Sequence, residues 1–543
     1  MFLENIAKIP EDVMESGCRD VAPSRNVLKN ISWEARKSSR QHSNEIISLQ
    51  IMLQKRTNSP DEVLQKVMLH PKGVLLWSKR SIHIYQERCQ EDIIYLDATG
   101  SIMRRETGSP PFYVYELVVR NPHKTSSPFP VATYLTCDHT TASVLYFLEA
   151  FLTDVARWFG RKGMRSPVMV ICDGSIVLMQ AICMAFAKKN LTDTINHYYN
   201  IASGKGKPED FDVPVLHRCL SHVMKNAKEM CRKYATNHYH LAMHVFGALT
   251  TASTLKELDD MVQSATVVFS SPCCGASVEK HFKNLQSWLQ KKGTPLDETT
   301  KSRGDAEDLK DITGSNRFAK RCNAIISNAP LDKHGEVNVY QCKGLIDHLK
   351  KYVLPFAGLW TGIMLGDLGR HGTGPQYKQC SRRYNALRKL TRQNITQDNK
   401  TQGVMEKSQW DLKHIRFTSG RLTRLDDFVA QYRISHTALL KEYEDSERVF
   451  RRKTYRVEKE IWKEKQQKKR GRYVSAIPKP FHFKTSKKKS SVSEGPIGKQ
   501  ISPPQLRSSL EGDHENIVDN KAKTTATPQD QVRILSFIKC SYS

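Results

Sequence analysis

Hydrophobic and polar positions follow two different patterns along the chain, and the change falls near residue 91. Before it, segments such as ISLQIMLQ and DEVLQKVM carry apolar residues at helical spacing, and Pro10, Pro23, Pro60 and Pro71 divide them into short pieces. We therefore expect residues 1–90 to form a small N-terminal helical region.

After residue 91 the pattern is typical of strands. Runs rich in aromatic and β-branched residues at 93–96, 112–119 and 131–136 are separated by Gly, Ser and Pro, which predicts three antiparallel strands. An amphipathic helix over 140–159, a strand ending at Asp173, a second helix and a further strand ending near Cys219 follow. Together with the acids discussed below, this order predicts an α/β fold with a ribonuclease-H-like mixed sheet.

The remaining chain divides by composition. Residues 223–395 look helical and irregular, with a polar loop at 291–308 and a Gly-rich stretch at 366–374, which indicates a large helical insertion. A helix that begins near Thr401 indicates that 396–445 complete a core whose first part is 91–222. The chain then loses its apolar period and becomes basic, with 16 Lys and Arg against 3 Glu over 451–490, so we expect a basic, largely disordered tail over 446–543.

Length and charge narrow the function. A chain of 543 residues is too long for one compact core, so we expect two to four domains. Lys and Arg number 84 against 56 Asp and Glu, a formal net charge of +28, and nucleic acid is the usual partner of such an excess. The alternative is a solvated basic surface with a basic tail.

The same survey bears on location. The N-terminus lacks a secretory signal, and the longest apolar runs are far shorter than the ~20 residues of a membrane helix. Thirteen cysteines without a regular framework suggest a reducing compartment. The basic motifs at 467–472 and 487–489 are typical of nuclear import or of a phosphate-binding tail, so we expect a nuclear protein without membrane contact.

Two acids end strands that should be neighbours. Asp97 closes the first strand and Asp173 the fourth, and a ribonuclease-H-like sheet would bring the two carboxylates together. Close carboxylates need a dication or a proton to coexist, and oxygen-rich sites suit Mg²⁺ or Mn²⁺. Two such ions ~3.5–4 Å apart hold the attacking and leaving oxygens of a phosphoryl transfer.

Such a site needs a third acid, and Glu406 ranks first. With Thr401 as the N-cap, Glu406, Trp410 and Lys413 share one helix face, so that Trp410 packs on the sheet and Lys413 reaches a DNA phosphate. The alternative is an ordinary surface glutamate on an amphipathic helix. Glu279 ranks second, and Asp138 is an auxiliary or solvated acid.

Cysteines and histidines offer a weaker signal. Cys219 and His222 have the C-x-x-H spacing that supplies half of a zinc site, and three histidines follow in sequence, namely His238, His240 and His244. A second half with diagnostic spacing is missing, so a structural buried Cys and a hydrogen-bonded His are favoured over zinc. The adjacent Cys273 and Cys274 are also interpreted as structural.

Four motifs together resemble a known family. D-A-T-G-S at 97–101, C-D-G-S at 172–175, C-L-S-H at 219–222 and T-Q-G-V-M-E at 401–406 occur in order, and residues 20–440 resemble a Mutator-like-element (MULE) transposase of the DDE class, animal type. The resemblance implies a ribonuclease-H-like core with a helical insertion before the last acid.

It also implies function. Asp97, Asp173 and Glu406 would form the catalytic triad that binds two Mg²⁺ or Mn²⁺ ions, and water and then a DNA 3′-hydroxyl would attack phosphodiesters. DNA is the implied partner, homo-oligomers the implied acting form, and Lys413, Lys225, Arg416 and Trp410 are candidates for DNA contact.

Two departures keep alternatives open. The first 90 residues hold only Cys18 and Cys89, too few for the zinc-binding recognition module common in the family, and Gln402 replaces an Asn. A domesticated, catalytically silent DNA-binding protein is therefore the second hypothesis. A ribonuclease-H-like exonuclease is the third and least favoured, because such enzymes pair two acids on one strand and position 99 is Thr.

Overall fold

A computed structural model describes residues 24–55, 62–90, 92–105, 108–122, 126–292, 316–365, 401–417 and 421–470, together with Asp12 and Glu15. The chain divides into two compact units, Met1–Glu464 and Lys465–Ser543. Of the second unit, only the helical residues 465–470 are described. Residues 293–308 of the predicted polar loop, the Gly-rich stretch at 366–374 and the predicted tail beyond Arg470 lie outside the described residues.

A seven-stranded mixed sheet forms the centre of the first unit. Its strands run in the spatial order β1-β2-β5-β4-β3-β6-β7. The pairs β1–β2, β2–β5, β5–β4 and β4–β3 are antiparallel, whereas the pairs β3–β6 and β6–β7 are parallel. The strand bounds are β1 Leu64–Met68, β2 Gly73–Leu76, β3 Ile94–Thr99, β4 Tyr113–Val119, β5 Phe129–Thr136, β6 Met169–Cys172 and β7 Val215–Arg218. The expected α/β class, the antiparallel β3-β4-β5 meander and the β3–β6 neighbourhood are confirmed.

Helices surround this sheet. Those that precede or connect its strands are α1 Arg25–Ser39, α2 Glu45–Gln54, α3 Lys79–Arg88, α4 Thr141–Gly163, α5 Ile176–Ile182, α6 Leu191–Ala202 and α7 Pro208–Phe211. Those that follow β7 are α8 Leu220–Tyr234, α9 Tyr239–Thr250, α10 Leu255–Ser270, α11 Ala276–Lys292, α12 Arg317–Ser327, α13 Lys343–His348, α14 Ala357–Trp360, α15 Gly403–Asp411 and α16 Leu425–Arg470. A short ladder of β8 Cys273–Cys274 with β9 Glu336–Val337 lies among them, as the structural interpretation of this cysteine pair anticipates. Of the helices described, none is both long and apolar enough to cross a membrane.

The N-terminal region is not wholly helical. ISLQIMLQ lies in α2, as predicted, but DEVLQKVM supplies β1, which pairs with β2 to form a hairpin at the sheet edge. A segment as short as LQKVM fits either period, and pairing with β2 decides the outcome. Gly73 permits the pairing of β2 with β5, because a Cβ there would lie 2.6 Å from the Leu135 carbonyl oxygen on β5.

Different helices pack against the two faces of the sheet. On one face, Phe147 and Phe151 of α4 pack with Trp77 and with Tyr134 of β5. On the other face, side chains of α2, α16 and the segment Leu412–Arg416 after α15 pack over β2, β4 and β5, and the buried members include Leu49, Val114, Leu135, Leu412 and Phe428. The second face also carries Asp97, so the helices that cover it control access to this acid.

The helices after β7 belong to the same core as the sheet. Phe246 of α9 stacks on Trp360 of α14 with ring centroids 5.3 Å apart, and both belong to one buried cluster with the strand residues. Tyr198 of α6 links this cluster to β7, because its hydroxyl accepts a hydrogen bond from the Leu216 amide at 2.7 Å. The predicted insertion is therefore continuous with the sheet and has no separate core among the described residues.

Helix α16 extends 25 residues beyond the predicted tail boundary at 445/446. Its buried positions recur every three or four residues, as in Phe428, Tyr432, His436, Leu440 and Tyr443. The helix then continues to Arg470 through a stretch rich in Lys, Arg and Glu. These residues have high helix propensity, which supports a helix without an apolar stripe. The predicted boundary at 445/446 therefore falls within a helix, so the basic, largely disordered tail predicted over 446–543 begins with helical residues.

Candidate active site

Two neighbouring parallel strands bring Asp97 and Asp173 side by side. Leu96 of β3 is in register with Cys172 of β6, and each acid is the next residue along its strand. Strand β3 continues through Asp97 to Thr99, whereas β6 ends before Asp173 and the chain turns there. The Asp173 carboxylate accepts a hydrogen bond from the Ser175 amide at 2.9 Å, which fixes this turn.

Helix α15 places Glu406 near the same point. It lies over β3 and β4, and its first turn holds Glu406 with an exposed side chain. The pKa of Asp97 is well above its usual range because the carboxyl is buried, because Asp173 is close, and because Glu406 adds a further negative charge. Glu406 therefore lies close enough to Asp97 to affect its ionisation, although the two residues are 309 positions apart in sequence.

Gln409 is a site residue that the sequence reasoning missed. Its Nε2 donates to Asp97 Oδ2 at 3.1 Å, while the Ala98 amide donates to Oδ1 at 2.7 Å. Both contacts favour the charged carboxylate and oppose the upward pKa shift. Gln409 follows Glu406 by three positions, so the two lie on one helix face and helical spacing alone could have found it.

Arg218 is a second unpredicted residue at this edge. It is in register with Cys172, and its guanidinium lies against Gly174, where a Cβ would overlap it. Burial lowers the pKa of Arg218, and the neighbouring Cys172 and Asp173 raise it. No residue described in the structure accepts a hydrogen bond from its buried Nε. The buried Arg218 guanidinium therefore lies next to Asp173.

Cys219 lies beside the start of the helix that carries Glu406. The Cys219 sulfur accepts a hydrogen bond from the Gln402 amide at 3.3 Å, and burial raises the pKa of the thiol, which disfavours the thiolate that zinc requires. His238 packs against Tyr340, away from Cys219. Within the described ranges, no three His, Cys, Asp or Glu side chains are arranged as a metal-binding group.

Gln402 begins α15 in place of the predicted Thr401 cap. It is the N-cap residue, and its side chain does not cap the helix but donates from Nε2 to the Leu96 carbonyl at 3.3 Å. This contact ties the start of α15 to β3, one residue before Asp97. The prediction that the cap is Thr401 is wrong, because the Gln402 side chain is buried against the strand.

A buried ion pair holds the same helix to β4. Arg416 donates to both Glu116 oxygens, at 2.9 and 3.2 Å, and the Ser408 hydroxyl donates to Glu116 Oε2 at 3.0 Å. Glu116 is in register with Asp97 on the adjacent strand. The prediction of DNA contact by Arg416 is wrong, since only 6% of the residue is exposed and its guanidinium is used by Glu116.

The other candidates for DNA contact remain accessible. Trp410 is 55% exposed and lies beside the His414 ring, so the expectation that it packs on the sheet is wrong. Met405, Ser408 and Leu412 occupy that buried face instead. Lys413 and Lys225 are partly exposed.

The rival acids lie elsewhere. Glu279 is exposed on α11, which packs against α9 and α10. Asp138 follows β5 and accepts a hydrogen bond from the Thr140 hydroxyl at 2.8 Å. Asp173 and Glu406 are the acids that raise the pKa of Asp97, so the charge geometry favours Glu406 over both rivals.

The three acids offer the oxygen donors that Mg²⁺ and Mn²⁺ prefer, although in this structure their side chains are not arranged as a metal-binding group. All three candidate ligands are carboxylates, and each Asp97 oxygen accepts one hydrogen bond and so keeps a lone pair. A buried acid beside two further acids is also the arrangement that a divalent cation stabilises.

No family model and no curated protein matches the chain.

Proposed function

We propose that this protein is a DDE transposase-like nuclease that cleaves DNA and transfers the strand with the aid of divalent cations. The observation that carries the proposal is that Asp97 is buried beside Asp173 on the neighbouring strand, and that burial, Asp173 and Glu406 together raise its pKa. The sheet order β5-β4-β3-β6-β7, antiparallel at first and parallel after β3, supports a ribonuclease-H-like fold.

Asp97, Asp173 and Glu406 would hold two Mg²⁺ or Mn²⁺ ions, which when bound supply activation of the nucleophile and stabilisation of the leaving oxygen. Gln409 and the Ala98 amide orient the Asp97 carboxylate through its two oxygens. Arg218, behind Asp173, partly offsets the negative charge of the site. Partial neutralisation reduces repulsion of a phosphodiester as it approaches the acids.

The helix that carries Glu406 is anchored at both ends. Gln402 attaches its start to β3 and to Cys219. Ser408, together with Arg416 of the π-helical segment Leu412–Arg416 that follows α15, attaches it to Glu116. Catalytic groups act efficiently only when their positions are fixed before the substrate arrives. These anchors are positioning contacts, since none of them faces the reacting atoms.

The test is cleavage of supercoiled DNA by the purified full chain with Mg²⁺ or Mn²⁺. Asp97→Asn, Asp173→Asn and Glu406→Gln should each lower the cleavage rate by about 100-fold or more, because each removes a ligand charge. Glu279→Gln is the matched control for Glu406→Gln, and Asp138→Asn is the control for the aspartates. Equal cleavage by Asp97→Asn and the unmodified protein would refute the assignment.

A second candidate function is DNA binding without cleavage. It is favoured by the exposure of Glu406 and by the net charge of +28. In this case DNA affinity falls steeply with salt, Asp97→Asn leaves that affinity unchanged, and no cleavage occurs with either cation. Cation-dependent cleavage that is lost in Asp97→Asn would exclude it.

A further inference from the structure

A wide groove opens between α6, α10 and α12, and most of its polar lining is cationic. It has a volume of about 1110 Å³ and is lined by Tyr199, Ala202, Ser203, Lys205, Thr254, Leu255, Lys256, Arg317, Lys320 and Arg321. Five of these ten residues are Lys or Arg, and none is acidic. Such a surface concentrates anions.

Most of this charge is uncompensated. Arg321 pairs with Asp259 through Nε and Nη2 and also donates to the Tyr199 hydroxyl at 3.2 Å, which fixes its guanidinium at the groove wall. The other four cations have no acidic partner among the residues that the structure describes, and all four are exposed. The groove therefore presents about four net positive charges to a ligand.

Two helices add to the positive potential. Helix α10 begins at Leu255 and α12 at Arg317, so both direct their N-terminal ends at the groove. A helix N-terminus carries roughly half a positive charge and favours phosphate. Backbone dipoles and side-chain charges thus point to the same kind of ligand.

The groove lies away from the acids. The Tyr198 hydroxyl contacts Pro214 and Leu216, so the adjoining end of α6 lies at the amino end of β7. Asp97 and Asp173 lie at the carboxyl side of β3 and β6, which run parallel to β7. A phosphate bound in the groove is consequently not the phosphate that the acids would attack.

We infer that this groove binds the phosphate backbone of a nucleic acid segment separate from the segment at the acid site. Its exposed cations come from three separate elements, the loop after α6 and the helices α10 and α12, which favours a phosphate backbone that carries several charges over a single phosphate or nucleotide. The inference does not depend on cleavage, because it rests on the groove alone.

The test compares two triple variants of the full chain with equal charge change. Lys205→Gln/Lys256→Gln/Lys320→Gln removes three exposed groove lysines, and Lys162→Gln/Lys280→Gln/Lys333→Gln removes three exposed lysines elsewhere. Fluorescence anisotropy with a labelled 30-base-pair duplex is measured over a range of salt concentrations. The groove variant should bind about 10- to 100-fold more weakly with a salt slope smaller by about 2–3, and the control should change by much less.

Two outcomes would overturn the inference. One is an equal loss of DNA affinity in both triple variants, which would mean a diffuse charge effect. The other is calorimetric binding of inorganic phosphate that the groove variant loses while DNA affinity is unchanged, which would mean a small-anion site. Cleavage by the groove variant at saturating DNA should equal that of the unmodified protein, so failure of the proposed function and failure of this inference remain distinguishable.

Discussion

Two buried carboxylates stand opposite each other on neighbouring strands and have opposite surroundings. Glu116 of β4 is bound by Arg416 and Ser408, whereas Asp97 of β3 faces Asp173 and Glu406. The first is neutralised and holds α15 in place, and the second is left electrostatically strained. Two carboxylates paired across neighbouring strands thus differ in role. Glu116 supports the fold, and Asp97, which lies beside other acids, is the one suited to bind a cation.

The largest change in stability should come from removing the positively charged partner of Glu116. Arg416→Met leaves Glu116 buried without a counter-charge, so we expect the free energy of unfolding to fall by about 3–5 kcal/mol in urea denaturation. The double variant Glu116→Gln/Arg416→Met should recover much of this loss, since no buried charge remains. A double variant as unstable as Arg416→Met would show that the pair itself, rather than the stranded charge, governs stability.

The next largest effect is a pH dependence of stability that involves His436 and the same Arg416. Burial and the Arg416 charge lower the pKa of His436 to about 3. The unfolded chain takes up this proton below about pH 6.5 while the folded state does not, so stability is lost as the pH falls. This histidine should remove about 2 kcal/mol between pH 7 and pH 5.

Urea denaturation at a series of pH values checks this contribution. His436→Gln should show a shallower pH dependence over that interval than the unmodified chain. Equal slopes for the two proteins would mean that the buried imidazole is protonated in the folded state.

Asp97 should behave in the opposite way. Its folded-state pKa is raised, so its contribution to stability is full below about pH 3.9 and is lost as the pH rises through the folded value. Asp97→Asn should therefore stabilise the cation-free protein at pH 7, in contrast to the loss expected for Arg416→Met.

Thermal unfolding with and without Mg²⁺ sharpens this point. Added Mg²⁺ should raise the Tm of the unmodified protein more than that of Asp97→Asn, because a bound cation relieves the repulsion. Destabilisation by Asp97→Asn at pH 7 without cation would contradict the strained state inferred for this acid.

The smallest effect should come from Gln409. Gln409→Ala removes the hydrogen bond to Asp97 Oδ2, so stability at pH 7 should fall by about 0.5–1.5 kcal/mol and the pKa of Asp97 should rise further. Lys407→Ala, at an exposed position on the same helix, is the matched control. If the stability of the two variants depended on pH in the same way, Gln409 would not affect the ionisation of Asp97.

Much of the sheet is predictable from local pattern. The β3-β4-β5 meander, helix α4, strand β6 and helix α15 all lie where apolar period and turn residues predict them. The β1–β2 hairpin is not predictable in this way, because its short apolar segment becomes a strand only through pairing with β5. The length of α16 was also missed, since a charged helix leaves no apolar stripe to follow.

The roles of individual charges are less accessible from sequence. Arg416 looks like a free cation on a helix and is in fact the buried partner of Glu116, while Arg218 looks unremarkable and lies behind Asp173. Glu406 and Glu279 both begin helices with aromatic residues nearby, and only the packing of α15 on β3 and β4 separates them. Side-chain burial depends on contacts between segments hundreds of positions apart, which local pattern does not encode.

The sequence by itself determined the order of most of the elements and the acids that end two of its strands, because apolar periodicity and strand-terminal acids are local properties. The tertiary structure alone decided which acids have a buried counter-charge, which lie beside other acids, and which cations line a groove near the amino ends of the parallel strands. Pairing of charges is a matter of distance and dielectric, and both are set only when the chain has folded.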